Sequence, residues 1–472
     1  MSVTDLPSVI QGGMGVAVSS WQLARAVSAK GQLGVVSGTA LDVVLARRLQ
    51  DGDRGGHARR ALGFFPDPAM SQRVLDRYFD PAGRAPGQPY RPVPKLTLRQ
   101  GRPGQELAVV SNFVEVWLAK EGHSGVVGIN FLEKVQMATP TAAFGAMLAG
   151  VDFVLMGAGV PRQIPQLLTD LAAGRPGGVG VDVHGDEQHR VEVDPSTLLG
   201  VAPPVLRRPQ FLAIVSAAVL AAYLARDDST RPDGFVIEGP VAGGHNAPPR
   251  GHLVLDEDNE PVYGPRDDVD LTKIAALGIP FWLAGSYGTP DRLAEATAAG
   301  AAGVQVGTLF ALSDESGLTA DLRRQFHDQL AAGTLGVRTD AAASPTGFPF
   351  KVAQLPKTLS DQRTYDERPR LCDLSYLRTP YLATSGDIGY RCPSEPVHMY
   401  LRKGGVLSDT VGRKCLCNAL TANVGLGQTR RDGFVEPPLV TLGSNLDAAR
   451  TLAGRHPGGW KAADVIEWLL GS

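Results

Sequence analysis

The stretch Pro280–Thr308 reads PFWLAGSYGTPDRLAEATAAGAAGVQVGT and predicts the fold class. Its first apolar run, PFWLAGS, is followed by Thr289-Pro290, a pair typical of a helix start, with threonine as N-cap and proline at the first helical position. The helical segment DRLAEATAA stops at Gly300, a residue type that commonly ends helices. A second apolar run, GVQVGT, then follows. A strand, a helix and another strand in this order predict a parallel βαβ unit.

Outward from this stretch, the same alternation of apolar runs and Ala/Leu-rich helical segments recurs. Eight runs qualify as strands, the number that closes a (β/α)8 barrel. They are Ser8–Gly13, Leu33–Gly38, Gly125–Asn130, Asp152–Gly159, Gln210–Ser216, Gly234–Gly239, Pro280–Ser286 and Gly303–Thr308. We therefore predict an α/β fold, a TIM barrel. A doubly wound open sheet is less consistent, because the first strand leads into QGGMGV rather than GxGxxG.

Two parts of the chain depart from the repeat. Val179–Asp194 alternates with period two around a Gly-Asp turn, which predicts a hairpin inserted at about residues 176–205. Beyond the barrel at 1–343, Pro-rich segments and short helices predict an appended C-terminal helical and irregular subdomain at 344–472, serving as a lid or an oligomer surface. Its last helix is expected at Lys461–Leu470.

Composition excludes several classes of protein. The chain has 472 residues, a formal net charge of −2 and a hydrophobic fraction of 43%, which fits a large globular enzyme better than a nucleic-acid-binding protein. The longest apolar run, Phe211–Ala225, is shorter than the roughly 20 residues of a membrane span. The N-terminus shows no secretory leader, and the chain has four cysteines. We expect a cytoplasmic protein.

Glycines follow several predicted strands, where sites in such barrels are built. Gly285-Ser286 and Gly307-Thr308 follow the last two strands, and loops at these places commonly bind phosphate through backbone N–H groups. The alternative is that each glycine only makes a tight turn. Two such loops together favour a phosphorylated ligand.

A histidine follows two glycines after the sixth predicted strand, in Gly243-Gly244-His245. The glycines would let a flat ligand lie against the backbone, and an imidazole suits proton transfer near neutral pH. The alternative is a histidine that hydrogen-bonds a loop carbonyl. Asn130, at the end of the third predicted strand, points to the same face, and its amide suits a flavin edge. It could also be a loop cap.

These residues resemble the nitronate monooxygenase family, which includes flavin-dependent enoyl-acyl carrier protein reductases. The motifs that carry the resemblance extend over roughly the first 350 residues. They are VIQGGMGV (Val9–Val16), VGINF (Val127–Phe131), VLMGAGVPR (Val154–Arg162), VIEGPVAGGHN (Val236–Asn246), FWLAGSYGTPDRLAEATAAGAAGVQVGTLF (Phe281–Phe310) and ASPTGFPFKV (Ala343–Val352).

The resemblance implies bound FMN, with His245 as the active-site histidine, either a base or an orienting group. It implies that Gly13 and Met14 contact the flavin ring and that Asn130 bonds it. The implied holders of the ribityl phosphate are Gly244, Gly285, Ser286, Gln305, Gly307 and Thr308, and Gly243 is a further cofactor-binding residue. Ser286 departs from the family, which has a second glycine there, so the conformation of this loop is in question.

The four cysteines all lie in the last quarter of the chain, at Cys372, Cys392, Cys415 and Cys417. No C-x-x-C knuckle is present, which favours buried thiols that act as small hydrophobes. The clustering keeps open a structural metal site of four thiolates. Metal binding is therefore an open question.

Three functions remain in competition. The first is an FMN-dependent monooxygenase that oxidises a small nitronate-like substrate with O2. The second is a trans-acting enoyl reductase that uses NAD(P)H and docks an acyl carrier protein. The third is a flavin-binding barrel without catalysis. A homodimer is a candidate assembly, and neither nucleic acid nor membrane is expected as a partner.

Overall fold

The computed structural model describes residues 6–471. Residues 1–5, part of the N-terminal stretch without a predicted leader, and Ser472 lie outside the described residues. The strands are β1 (Val9–Gln11), β2 (Leu33–Ser37), β3 (Val127–Leu132), β4 (Phe153–Gly157), β5 (Gly177–Val181), β6 (His189–Val193), β7 (Gln210–Val215), β8 (Gly234–Glu238), β9 (Phe281–Ala284), β10 (Gly303–Val306), β11 (Val337–Asp340), β12 (Phe350–Ala353), β13 (Thr379–Leu382) and β14 (Ile388–Arg391).

The helices surround and extend the sheet. They are α1 (Trp21–Ser28), α2 (Leu41–Gln50), α3 (His57–Leu62), α4 (Pro68–Tyr78), α5 (Arg102–Lys120), α6 (Thr139–Leu148), α7 (Ile164–Ala172), α8 (Pro195–Leu198), α9 (Ala218–Ala225), α10 (Leu271–Ala275), α11 (Pro290–Ala298), α12 (Thr308–Ala311), α13 (Ala320–Ala331), α14 (Gln362–Glu367), α15 (Val397–Arg402), α16 (Leu416–Ala422), α17 (Asp447–Arg455) and α18 (Ala462–Leu470). None of the helices in residues 6–471 combines the length and the apolar character that a bilayer crossing requires.

The predicted barrel is confirmed. Eight parallel strands close in the order β1-β10-β9-β8-β7-β4-β3-β2, and each overlaps one of the eight predicted runs. The predicted start of α11 is also confirmed, because the Thr289 side chain accepts a hydrogen bond from the Arg292 N–H. Since all barrel strands run the same way, their carboxyl ends and the loops that follow them meet at one rim.

The barrel is filled by side chains from alternate strand positions. Trp282, Phe153 and Leu212 are among the fully buried residues inside it, and the Trp282 indole N–H donates to the Pro7 carbonyl at 2.8 Å. A larger cluster packs the outer faces of the strands against the helices. The interior is therefore solid, which leaves the rim as the place for a site.

The inserted hairpin is confirmed as β5 and β6, which pair antiparallel. At its tip the His184 N–H donates to the Pro380 carbonyl at 3.0 Å, which joins the hairpin to β13 in the C-terminal part.

The helices α2 to α5, between β2 and β3, were not predicted. The longest of them, α5, is buried along most of its length and packs against α1, α2 and α6. A helix buried on several sides carries no single apolar stripe, so periodicity does not reveal it.

The C-terminal part contains strands as well as the predicted helices. The hairpin β11–β12 straddles the predicted boundary between residues 343 and 344, and β13–β14 forms a second hairpin. The last helix begins at Ala462, one residue after the predicted start. The division of the chain into two domains stays a prediction.

Candidate functional site

Two adjoining cavities open at the carboxyl rim of the barrel, with volumes of about 330 and 160 Å³. We call them the loop cavity and the ring cavity. Both are bordered by residues that include Gly13, Gly244, Glu238 and Gln305. Every cofactor residue expected from the sequence lines one or both of them, and His245 lines the ring cavity. The structure thus brings the whole set together, while the role of each toward a cofactor stays a prediction.

The loop cavity has the features of an anion site. Ser286 and Thr308 both line it, in neighbouring loops after β9 and β10. Within the described chain, the backbone N–H groups of residues 286–288 donate to no other protein group. Such free N–H groups in front of the start of α11 provide partial positive charge for a phosphate. Gly285 and Ser286 both have positive φ, 85° and 67°, which turns the loop around the cavity.

The C-terminal part supplies a wall of the loop cavity that sequence reasoning missed. Thr441 Oγ1 accepts a hydrogen bond from the Gly244 N–H at 2.7 Å, and Thr308 Oγ1 accepts one from the Gly443 N–H at 3.0 Å. A Cβ on Gly243 would stand 2.9 Å from the Leu442 carbonyl carbon, so only glycine allows this approach. The signal in the sequence that could have revealed this wall is the apolar run before Gly443-Ser444, which is followed by α17.

The ring cavity contains amide groups without partners. The oxygens Asn130 Oδ1 and Gln305 Oε1 are buried, and neither accepts a hydrogen bond from the described residues. Buried polar atoms of this kind normally have partners. A Cβ on Gly13 would stand 2.3 Å from the Asn130 Cβ, so this glycine keeps the space beside the amide free. A flat heterocycle with hydrogen-bonding edges, such as a flavin, fits these groups.

His245 lies where the ring cavity meets a further cavity. Its Nε2 is 2.7 Å from Ser344 Oγ, and its ring packs edge-on against Phe350 at 4.8 Å between centroids. Burial, and to a smaller extent the charge of Lys134, lower the pKa of His245 to about 3. The imidazole is therefore neutral at physiological pH and a weak proton acceptor, which favours the orienting role over the base.

Glu238, the last residue of β8, is a site residue that the sequence analysis missed. It borders the loop cavity, the ring cavity and the space beyond His245. Burial raises the pKa of its carboxyl group to about 7. A carboxyl group that changes charge near neutral pH at the centre of a cleft is a candidate for handling a proton. Its position at a strand end was the available signal.

The four cysteines converge although they come from separate segments. All line one small cavity, and Cys417 also borders the ring cavity. All four are free thiols, and burial raises the pKa of Cys417 to about 12. In the portion of the chain described, no group of three or more histidine, cysteine or acidic side chains is arranged to hold a metal ion. Cys392 and Cys415 are buried, and Cys372 and Cys417 are partly buried.

The second half of the barrel matches a known family. Residues 202–341 match the family model described as nitronate monooxygenase. This stretch carries a nitronate monooxygenase domain. The predicted resemblance is thereby confirmed for β7 to β11, the part that contains His245 and the loops around Ser286 and Thr308. The family description names a monooxygenase, so the match indicates an oxidoreductase.

Solved structures of similar architecture cover nearly the whole chain. FabK from Thermotoga maritima is 16% identical, with 99% of this chain and 93% of that chain covered and a TM-score of 0.47. Nitroalkane oxidase from Streptomyces ansochromogenes is also 16% identical, with coverages of 100% and 97% and a TM-score of 0.46. At these values we take nothing about function from them. No curated protein matches the chain.

Proposed function

We propose that the chain binds FMN across the two adjoining cavities, with the phosphate in the loop cavity and the ring beside Asn130. The observation that carries the proposal is the pairing of free loop N–H groups with unpaired amide oxygens in connected spaces at one rim. The flavin would supply the two-electron chemistry, and the protein supplies position and surroundings.

The protein groups around the ring cavity suggest how a substrate is held. Ser344 fixes one ring nitrogen of the neutral His245, and Nδ1 makes no hydrogen bond to the described residues, so it can bond a substrate oxygen. Glu238 holds a proton below about pH 7 and carries a negative charge above it. We propose His245 as an orienting group and Glu238 as a proton-holding group for the reacting substrate.

The reaction we propose is oxidation of a small alkyl nitronate with O2 as the electron acceptor. It is tested by mixing purified yellow protein with an alkyl nitronate without air and recording the flavin absorbance. Bleaching of the flavin and its return on admission of air are the expected results. A flavin that no nitronate reduces contradicts this substrate.

A histidine pair provides the matched variants. We expect His245→Ala to retain flavin and to lower kcat/KM about 100-fold, the size of effect that misplaced reactants produce. His252→Ala is the control, because His252 is exposed and borders none of the cavities described above. Equal turnover in the two variants would show that His245 has no role in the reaction.

A second candidate is the trans-acting enoyl reductase, with NAD(P)H as donor and an acyl carrier protein as partner. The space beyond His245 is larger than a small nitronate requires, which favours this candidate. Reduction of the flavin by NADPH and turnover of an enoyl thioester would separate the enoyl reductase from the nitronate monooxygenase.

We also propose a homodimer as the assembly of the protein. Four free thiols are usual in a reducing compartment, so we propose the cytoplasm as the location.

A further inference from the structure

A cleft continues from the ring cavity toward the inserted hairpin. A cavity of about 270 Å³ begins at His245 and Glu238. It shares Gly159 and Phe348 with an outer cavity of about 770 Å³. Pockets of about 300–1,000 Å³ bind ligands of drug size. The space beyond the ring therefore suits a substrate much longer than a nitroalkane of a few carbons.

The outer cavity contains a half-buried ammonium group, that of Lys134, which forms no direct ion pair with the described residues and has only the neighbouring Glu133 carboxyl group as a nearby opposite charge. Lys134 Nζ lies 3.1 Å from the centroid of the Phe348 ring, and this ammonium group forms no direct ion pair or hydrogen bond with any residue from 6 to 471. Burial lowers the pKa of Lys134 to about 8, so the group is still a cation at neutral pH. A desolvated cation held on an aromatic face is attracted to an incoming anion more strongly than a solvated one.

A second cation lines the same cavity. Arg162 is exposed, and its guanidinium reaches only the Tyr223 hydroxyl, at 3.4 Å, with no ion pair among the described residues. Two acidic side chains, Glu133 and Asp182, also border the cavity, and burial raises the pKa of Glu133, which favours its uncharged form. Glu133 accepts a hydrogen bond from Gln136, and Asp182 accepts one from Gln188.

We propose that this cleft binds an elongated substrate whose remote end carries a carboxylate or a phosphate, recognised by Lys134 and Arg162. The reacting end of the substrate lies at His245. This placement of the reacting end rests on the proposed function. The inserted hairpin forms one wall of the outer cavity through Val179 and Gly180. The insertion thereby gains a function, which is to enclose the remote end of the substrate.

The test is a calorimetric titration of the flavin-loaded protein with hexanoate, hexyl phosphate and hexanol. These probes share a chain and differ in the charge of one end. The expected result is that both anions bind about ten-fold more tightly than hexanol, the usual size of one charged hydrogen bond. A preference between the two anions identifies the remote group as carboxylate or phosphate. Equal affinity for hexanol and the anions overturns the proposal.

Charge-removing variants locate the effect. Lys134→Met and Arg162→Met should each weaken the anions and leave hexanol unchanged, and Lys134→Arg should restore anion binding. Arg190→Met is the control, because Arg190 is an exposed arginine of the same hairpin that does not border the cavity. Anion affinity that survives both charge removals overturns the proposal. If Lys134→Met does not fold, Arg162→Met still removes one of the two charges, and loss of anion affinity in that variant is the result that supports the proposal. Titration needs no turnover, so anion binding without nitronate oxidation removes only the proposed reaction.

Discussion

Replacement of Gly13 by alanine tests the site at its tightest point. The new Cβ would stand 2.3 Å from the Asn130 Cβ and 3.0 Å from its Cγ. Carbon atoms in contact prefer about 3.5 Å or more, so one group must move by about 1.2 Å. Asn130 belongs to β3, which pairs with β2 and β4 on either side. The loop that carries Gly13 must therefore move away from Asn130, which changes the shape of the space proposed for the flavin ring.

The expected cost follows from this displacement. Overpacking of a close-packed site costs about 1–3 kcal/mol. If that cost falls on the flavin complex, the Kd for FMN rises by about 5- to 150-fold, at about 1.4 kcal/mol for each factor of ten. The measurement is a titration of flavin-free protein with FMN, followed by quenching of the flavin fluorescence.

A glycine away from the site provides the control. A Cβ on Gly454, in α17, would have no described atom outside its own helix within 4 Å, and Gly454 borders none of the cavities described above, so Gly454→Ala should leave the Kd unchanged. Native thermal unfolding of both variants shows that the fold is retained. FMN binding by Gly13→Ala that equals the binding of the parent protein would refute the placement of the ring beside Asn130.

Three further predictions concern strain, charge and thiols. Ser286→Gly should raise the free energy of unfolding, measured by urea titration, by about 0.5–1 kcal/mol, because a serine at φ 67° is strained and a glycine is not. A variant that is less stable than the parent protein would contradict the strain at this position. The pKa of Glu238 is about 7, so its carboxylate forms as the pH rises, and kcat/KM for an anionic nitronate should fall as the pH passes through 7. Glu238→Gln should abolish this inflection in the pH profile. An inflection that persists in the variant would belong to another titrating group. Burial raises the pKa of Cys417 to about 12 and raises that of Cys392 as well, so these two thiols should react slowly with Ellman's reagent at pH 8 until urea is added. A metal analysis that finds one zinc per purified chain would instead establish the metal site.

The cysteines and α5 show where local patterns stop being informative. Spacing alone left open whether the four thiols meet, because the sequence distance between Cys372 and Cys417 says nothing about their separation in the fold. The α5 helix is hidden for a related reason: its neighbours α1, α2 and α6 bury several of its faces, which removes the stripe that reveals a surface helix.

The sequence by itself determined the barrel and the rim on which the site lies. Alternating strand and helix patterns are local, and parallel strands bring the residues that follow them to one edge, so His245, Ser286 and Thr308 could be placed together from their positions alone. Only the tertiary structure decided what surrounds them. The wall from Thr441 to Gly443, the cavity beyond Phe348 and the charge states of Glu238 and Lys134 depend on burial by segments far away in the chain. Burial of this kind has no local signature, and it is what sets the pKa of a side chain and the shape of a cleft.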